Sequence, residues 1–359
     1  MPSEVHIKQF ELSDQDAVLS FLTIAYADDP RKSDPAFWKW HYLENPYTSP
    51  NNVPLWIVKD GERVVGQAAT ILVEIQVLEE KRKAVWILDF ILLPEYRGKK
   101  LGKRLLLLAR ETYPTMLALG FNEASGNVLR SLDWVPMGSI NRYQKLLYPA
   151  YGLPQTAAIA PVRGLLNASF APLRPSAKSL RPSGKYDVMP VAEFSSDFDD
   201  LWSRTSAQAT CAVSRNSKFL EWQFLRQPGK KFQTLALYDS GSLAGYIVLF
   251  FRKPERNNAP PKAAITDICY DPNASDDLID ELLKAALTES LKRRAGSLVT
   301  DVRDERIEAR LRRFGFWPIK RSPPFMIYSP NKQDVMYVPQ NWFLTRADSD
   351  VSIFEDPNL

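Results

Sequence analysis

A long internal repeat constrains the fold of this chain more than any other feature of its 359 residues. The segment FWKWHYLENP at 37–46 resembles FLEWQFLRQP at 219–228, and the shared phenylalanine, tryptophan, leucine and proline keep a constant offset of 182 positions. Each copy leads into two apolar runs around a polar turn, a pattern typical of a β-hairpin. The repeat predicts two copies of one structural unit, each long enough to bury its own core.

The order of elements after the hairpin is repeated as well. A mostly apolar strand that ends in proline covers 86–94 in the first copy and 264–272 in the second, which sets Asp89 against Asp267. A helical segment with apolar residues three and four positions apart follows each strand. The predicted fold class is therefore α/β (α+β), with two tandem domains that each contain a mixed, mostly antiparallel sheet flanked by helices.

The boundary between the domains is expected in a segment rich in proline, alanine, serine and arginine. Such a composition is typical of a linker. We expect an N-terminal domain at residues 1–148, a linker at 149–185 and a C-terminal domain at 186–359.

Composition argues against several classes of protein. The 46 basic and 42 acidic residues leave a net charge of +4, which is too small to indicate a nucleic-acid-binding protein without a localised basic stripe. Cys211 and Cys269 form no CxxC or Cys/His cluster, so neither a metal site nor a disulfide framework is predicted, and a reducing cytoplasm is favoured. No leader pattern and no apolar run of roughly 18 residues is present, so we expect a soluble protein without a transmembrane segment.

The most informative segment is LLPEYRGKKLG at 92–102, between an apolar strand and an amphipathic helix. A helix N-terminus offers unpaired N–H groups and the positive end of the helix dipole, and glycines let a pyrophosphate approach those groups. Basic side chains lie in or next to this turn at Arg97, Lys99, Lys100, Lys103 and Arg104. The pattern predicts a phosphate loop, and the alternative is an ordinary basic helix start.

This loop resembles that of the GCN5-related N-acetyltransferase (GNAT) superfamily, which follows the pattern [Q/R]-x-x-G-x-[G/A]. Arg97 and Gly102 match the first and last positions, whereas Lys100 stands where the family usually has the middle glycine. We expect Gly102 to let the phosphate approach the backbone.

A second family motif, N-x-x-[A/S]-x-x-x-Y, follows on the next strand and helix. Asn122 and Ser125 match it, but Leu129 replaces the tyrosine that often serves the family as general acid. Another group, or water, would then have to protonate the leaving thiolate. The alternative for Asn122 is a plain helix N-cap.

The resemblance implies two tandem GNAT-like domains and acetyl-CoA as the co-substrate, with no metal. The expected coenzyme A-binding residues are Leu92, Leu93, Arg97, Gly98, Lys99, Lys100, Leu101, Gly102, Lys103, Asn122 and Ser125. Leu92 and Leu93 would supply backbone contacts to the thioester and pantetheine.

The second half lacks the features of this loop. After Pro272 it has no glycine, and Asp276 and Asp277 stand where the first half is basic, so the segment should repel a pyrophosphate. Asp304 and Leu311 nevertheless keep the spacing of the second motif. The second domain is expected to be degenerate, keeping the fold without the cofactor loop.

Two side chains are candidates for the catalytic proton acceptor. Asp89 lies on the strand that should bind the thioester. If this strand is buried, the carboxylate must be paired with another group or have a raised pKa, and a raised pKa would suit a base. His41 lies in the aromatic segment 37–46, which we call the aromatic box, and an imidazole can titrate near neutral pH. The alternatives are that Asp89 is structural, like Asp267, that His41 is a partly buried helix residue, and that water accepts the proton.

The aromatic box and the ending at 341–350 resemble tandem acetyltransferases of bacterial surface-polysaccharide loci. The expected reaction is transfer of an acetyl or similar acyl group from coenzyme A to an amine, preferably an amino sugar on a nucleotide or lipid carrier. The alternatives are a Fem-type aminoacyltransferase that uses charged tRNA, and a non-catalytic acyl-CoA-binding regulator. Acyl length, acceptor identity and oligomeric state, including a homodimer, stay open.

Overall fold

The computed structural model describes residues 5–49, 52–148, 174–176, 178–252, 261–320 and 322–349, together with 165, 168 and 169. Most of the linker expected at 149–185 lies outside these residues. In the described part of the chain, no helix is both long and apolar enough to cross a membrane.

The helices and strands follow the order that the repeat predicts. In the described residues the strands are β1 (Val5–Gln9), β2 (Leu55–Asp60), β3 (Arg63–Val77), β4 (Glu80–Leu92), β5 (Met116–Leu119), β6 (Val135–Ser139), β7 (Asn141–Leu146), β8 (Asp187–Pro190), β9 (Cys211–Val213), β10 (Phe232–Asp239), β11 (Ser242–Arg252), β12 (Lys262–Tyr270), β13 (Ser297–Arg303), β14 (Trp317–Ile319), β15 (Pro324–Tyr328) and β16 (Trp342–Thr345). The helices are α1 (Gln15–Ala25), α2 (Pro35–Tyr42), α3 (Leu101–Thr112), α4 (Glu123–Arg130), α5 (Ser196–Ser206), α6 (Ser217–Leu220), α7 (Asp277–Lys292) and α8 (Glu305–Arg313).

Contacts divide the chain into two compact units, and each unit takes segments from both halves of the sequence. Unit 1 consists of Met1–Ser139, Thr210–Lys230 and Pro323–Asn341. Unit 2 consists of Ile140–Ala209, Lys231–Ser322 and Trp342–Leu359. These units differ from the contiguous domains expected at 1–148 and 186–359.

The sheet of unit 1 runs in the order β1–β2–β3–β4–β5–β15–β6, with β9 paired to the far end of β3. The β4–β5 pairing is parallel and the others are antiparallel. A core of apolar residues lies between this sheet and the helices α1, α2 and α3. The strand β15, which lies between β5 and β6, comes from the C-terminal half of the sequence.

Unit 2 has the same plan, in the order β8–β10–β11–β12–β13–β7–β14, again with one parallel pairing, between β12 and β13. Here the strand between β13 and β14 is β7, from the N-terminal half. The predicted mixed, mostly antiparallel sheets flanked by helices are confirmed. The units depart from the expected boundaries because β7 and β15 each complete the sheet that the other half of the sequence begins.

The aromatic box and its repeat copy at 219–228 contact each other in unit 1. Trp40 Nε1 donates to the Trp222 carbonyl at 2.9 Å, and Trp222 Nε1 donates to the Trp40 carbonyl at 2.9 Å. The two rings stack with centroids 5.0 Å apart. Equivalent tryptophans therefore satisfy each other's indole N–H groups in a buried, reciprocal pair.

Candidate functional site

An opening between β4 and β5 forms the centre of the candidate site in unit 1. The two strands pair only from Val85 with Met116 to Ile87 with Ala118, although β4 continues to Leu92. No strand among the described residues pairs with this edge of β4 beyond Ile87. The end of β4 therefore presents backbone groups to a cleft.

A β-bulge sets which backbone groups face that cleft. The register of β3 and β4 shifts between Ala68 and Thr70, so two β4 residues, Leu88 and Asp89, lie opposite the single residue Ala69. A bulge of this kind re-aims the residues that follow it. The sequence alone does not show which residues after the bulge direct their backbone groups toward the cleft.

Beyond the bulge, hydrogen bonding identifies the groups that point away from β3. The Leu93 N–H donates to the Val65 carbonyl at 3.0 Å, and the Leu93 carbonyl accepts from the Tyr96 N–H at 3.0 Å. Because hydrogen-bonded pairs alternate in an antiparallel ladder, the N–H and C=O groups of Phe90 and Leu92 face the opening. Both backbone groups of Leu93 have partners within the protein, and Phe90, which the sequence did not indicate, joins Leu92 as a residue whose backbone faces the opening.

The turn that follows β4 leads directly into α3. It contains a short 3₁₀ helix at Pro94–Tyr96, and Gly98 has a φ of +77°. Lys100, at the N-cap of α3, has a φ of +59°, in the left-handed region that favours glycine. This conformation explains why the family pattern has glycine there, and the exposed turn leaves the first amides of α3 open to an anion.

Two basic side chains of this turn are held by its own residues. Arg97 Nε donates to the Leu92 carbonyl at 3.0 Å. The Lys99 ammonium lies 5.0 Å from the centroid of the Tyr96 ring. The positive charge therefore sits beside the mouth of the cleft, where it favours an anionic ligand.

Gly102 lies where α3 packs on β4. A Cβ atom there would lie 2.8 Å from Cζ and 3.3 Å from Cε2 of Phe90, so the missing side chain faces the strand and not the phosphate position. Gly102 lets α3 pack closely against β4. Its N–H still belongs to the first turn of α3 and can contribute to anion binding.

Asp89 is held in a buried ion pair on the other face of β4. Its carboxylate accepts hydrogen bonds from Lys32 Nζ at 2.6 Å, Tyr26 Oη at 2.9 Å and Tyr42 Oη at 2.9 Å. Burial by itself would raise the pKa of Asp89, but the Lys32 ammonium and the hydroxyl donors outweigh it and hold the pKa below its ordinary value of 3.8. The carboxylate is paired and ionised at neutral pH, which makes it a weak proton acceptor.

His41 lies next to this cluster, completely buried and stacked on Trp40 with centroids 5.4 Å apart. Burial, opposed by Asp89 and reinforced by Lys32, lowers the pKa of His41 to about 3. The imidazole is therefore neutral at pH 7 and also a weak base. The expected titration near neutral pH does not fit this environment.

The second family motif forms the start of α4. Asn122 caps this helix by accepting from the Ser125 N–H at 2.9 Å, as the N-cap alternative states. Leu129, in place of the family's tyrosine, is buried in the core of unit 1. It offers no proton to a leaving group.

In unit 2, the side chain of Arg306 occupies the position equivalent to the phosphate loop. Its guanidinium donates to the carbonyls of Pro272 at 2.9 Å and Ala274 at 2.7 Å, and to the Asp276 carboxylate at 3.0 Å. The start of α7 is thus closed by an arginine and its own carboxylates. That the second copy binds no pyrophosphate stays a prediction.

The opening between β12 and β13 is also filled. These strands pair from Ala263 with Leu298 to Ile265 with Thr300, β7 covers the opposite edge of β13, and β16 then pairs with Val302 and Arg303. Thr345 of β16 donates to Asp267 at 2.6 Å. A strand of the protein therefore lies where the described residues of unit 1 leave a cleft.

Comparison with known proteins agrees with this geometry. Residues 18–128 match the model of the acetyltransferase (GNAT) family. The chain has a GNAT-like fold. The match confirms the predicted class, an acyltransferase that uses a coenzyme A derivative and an amine acceptor, while no curated protein matches the chain.

Solved structures share this fold over most of the chain. N-myristoyltransferase of Saccharomyces cerevisiae with bound myristoyl-CoA superposes with a TM-score of 0.61 at 12% identity, covering 91% of this chain and 83% of that chain. GCN5-related N-acetyltransferases of Anabaena variabilis and Kribbella flavida give TM-scores of 0.58 and 0.57 at 13% identity. The alignments cover 90% and 91% of this chain and 72% and 71% of those chains.

Proposed function

We propose that unit 1 transfers an acetyl group from acetyl-CoA to the amine of an amino sugar used in surface-polysaccharide assembly. The observation that carries the proposal is the divergence of β4 from β5 beside a basic, glycine-containing turn at the start of α3. The residues fit this co-substrate because the turn offers amides and positive charge to a pyrophosphate, and the cleft offers backbone groups that no described strand pairs with to an extended chain.

In this proposal, each part of the turn and strand has a separate role. The amides from Gly98 to Gly102 hold the pyrophosphate, with Lys99, Lys100 and Lys103 supplying charge. The N–H and C=O groups of Phe90 and the N–H group of Leu92 hold the pantetheine and polarise the thioester carbonyl, while the Leu92 carbonyl accepts from Arg97. Asn122 and Ser125 contribute through the start of α4, which their hydrogen bond shapes.

Water is assigned the role of accepting the proton from the acceptor amine. Asp89 and His41 were the sequence candidates, but the ion pair with Lys32 and the burial of the imidazole make both weak bases at neutral pH. Asp89 instead holds Tyr26 and Tyr42 in place beside the bulge. The pH dependence of turnover should then lack a titration of either group near pH 6 to 7.

The charge of the chain and its cysteines bear on the two alternative functions and on the cellular compartment. A Fem-type enzyme would need a groove for charged tRNA, which a net charge of +4 does not favour. A non-catalytic regulator would bind acetyl-CoA without releasing thiol. Cys211 and Cys269 are buried free thiols, which supports the cytoplasm as the expected compartment.

The test is thiol release from acetyl-CoA by the full chain with amino sugars, nucleotide sugars and amino acids as acceptors, with binding measured by calorimetry. The proposal expects turnover with an amino sugar, and loss of binding in Lys99→Glu/Lys100→Glu. The matched control is Asp276→Ala/Asp277→Ala, in the equivalent turn of unit 2, which should bind normally. Binding without turnover would favour the regulator, and binding that survives in the Lys99/Lys100 variant would overturn the assigned loop.

A further inference from the structure

Gln67, in the middle of β3, carries a buried polar side chain that the fold does not satisfy. The residue has no solvent exposure, and neither its Oε1 nor its Nε2 has a hydrogen-bond partner among the residues that the structure describes. A buried amide with no partner destabilises a fold, and native proteins satisfy most such groups. Both ends of this amide therefore call for an explanation.

The register places Gln67 beside the acyl-transfer strand. It pairs with Ile91 of β4, which lies between Phe90 and Leu92, the two residues whose backbone groups face the cleft. The side chains of Phe90 and Leu92 point toward α3, because a Cβ on Gly102 would meet both of them. Since side chains alternate along a strand, Gln67 points to the opposite face of the sheet.

That opposite face is the one on which Asp89 meets its partners. Asp89 also alternates with Phe90, and it binds Tyr26, Lys32 and Tyr42 from the segment that contains α1 and α2. Both α1 and α2 pack on β3. The unsatisfied amide of Gln67 and the carboxylate of Asp89 thus lie on one face, at and just after the bulge.

Resting on the proposed function, we infer that Gln67 recognises the acceptor through a neutral hydroxyl or carboxamide group next to its amine. An amide offers one acceptor and two donor hydrogens, so it fits a group that can both donate and accept, and it offers no charge to a carboxylate or phosphate. A sugar hydroxyl meets this requirement. Gln67 is then a specificity-determining residue and takes no part in the acyl transfer itself.

A site built to hydrogen-bond a hydroxyl discriminates strongly against an analogue that lacks it. The test compares glucosamine with cyclohexylamine, which presents a ring amine without hydroxyls, as acceptors for the full chain. In Gln67→Leu, kcat/KM for glucosamine should fall by about 10- to 100-fold while that for cyclohexylamine changes little. The dissociation constant of acetyl-CoA should be unchanged.

Gln76 provides a matched control on the same strand. It is also buried, but its Nε2 donates to the Leu78 carbonyl, and it lies roughly 30 Å further along β3. Gln76→Leu should leave the ratio of the two acceptors unchanged. If Gln67→Leu does not fold, Gln67→Asn keeps the amide one carbon short and should lower the ratio in the same direction.

The outcomes separate the two proposals. An unchanged ratio in the Gln67 variants, with wild-type turnover on glucosamine, overturns this inference alone and leaves the buried amide to an internal water. No turnover of either amine by the wild-type protein overturns the proposed acceptor class, and this inference with it. A ratio that falls equally in Gln76→Leu also contradicts a specific role for Gln67.

Discussion

Replacing Asp89 with asparagine should weaken the fold of unit 1 far more than it changes the chemistry. The carboxylate accepts from the Lys32 ammonium at 2.6 Å and from two tyrosine hydroxyls at 2.9 Å, and Asp89 is 5% exposed. Removing one member of a buried ion pair destabilises a protein by about 3–5 kcal/mol. Lys32 keeps 10% of its side chain exposed and can partly rehydrate, so we expect about 3 kcal/mol.

The measurement is urea unfolding of Asp89→Asn, of Lys32→Met and of the double variant, together with thiol release from acetyl-CoA. The double variant should lose less stability than the sum of the single variants, because either change alone leaves a partner of the pair buried. A general base would behave differently: Asp89→Asn would keep its stability within about 1 kcal/mol and lose turnover by roughly 10²- to 10⁴-fold. That result would refute the structural assignment.

The acid dependence of stability gives a second check on Asp89. The pKa of this carboxyl is lower in the folded protein than its ordinary value of 3.8, so the ionised form is the one that folding favours. Its contribution to stability is complete above the unfolded pKa and is lost as the pH falls through the folded pKa. Asp89→Asn should therefore flatten the loss of stability below about pH 4.

Three further predictions follow from individual features of the structure. Lys100→Gly removes the strain of a left-handed φ of +59°, so the variant should be more stable than wild type by up to about 1 kcal/mol in thermal and urea unfolding. The control Lys99→Gly removes the same charge without relieving strain and should be less stable than wild type. His41→Gln should remove a loss of stability that sets in as the pH falls below about 6.5, because the unfolded chain protonates this imidazole before the folded protein does, and an unchanged pH profile of unfolding would contradict the buried, neutral state. A fragment of residues 1–148 should give no cooperative unfolding transition by circular dichroism, because it lacks the β15 strand of its own sheet, and a stable monomeric fragment would contradict this division into units.

The sequence predicts the local order of the fold well, for physical reasons that are local. The succession of apolar runs, polar turns and an amphipathic helix is repeated in the same order, so strand, turn and helix are found where the repeat places them. Asn122 is an N-cap because its side chain can reach the third amide of the helix that follows. Strand pairing is not local, and the apolar pattern of β7 and β15 does not say which sheet each strand completes.

The candidate site shows the same limit at the level of single residues. The sequence locates the turn between β4 and α3, but the bulge at Leu88 and Asp89 changes which backbone groups face the cleft, and only the register of β3 and β4 reveals it. The partner of Asp89 is Lys32, 57 positions away, and no periodicity of the sequence brings the two together. This ion pair favours a structural role for Asp89 over that of a base.

The contrast between the units gives the strongest physical argument for where the chemistry takes place. Two parallel strands that diverge expose backbone N–H and C=O groups, and such groups must be satisfied by protein, water or a ligand. In unit 2 the protein supplies both partners, since β16 fills the opening and Arg306 binds the carbonyls of the turn. In unit 1 no described strand pairs with the end of β4, and the amides of Phe90 and Leu92 face the cleft beside a basic turn. In unit 2 the fold thus closes its own cleft, whereas the described residues of unit 1 leave it open, and this opening is where we propose that the extended, phosphate-bearing co-substrate binds.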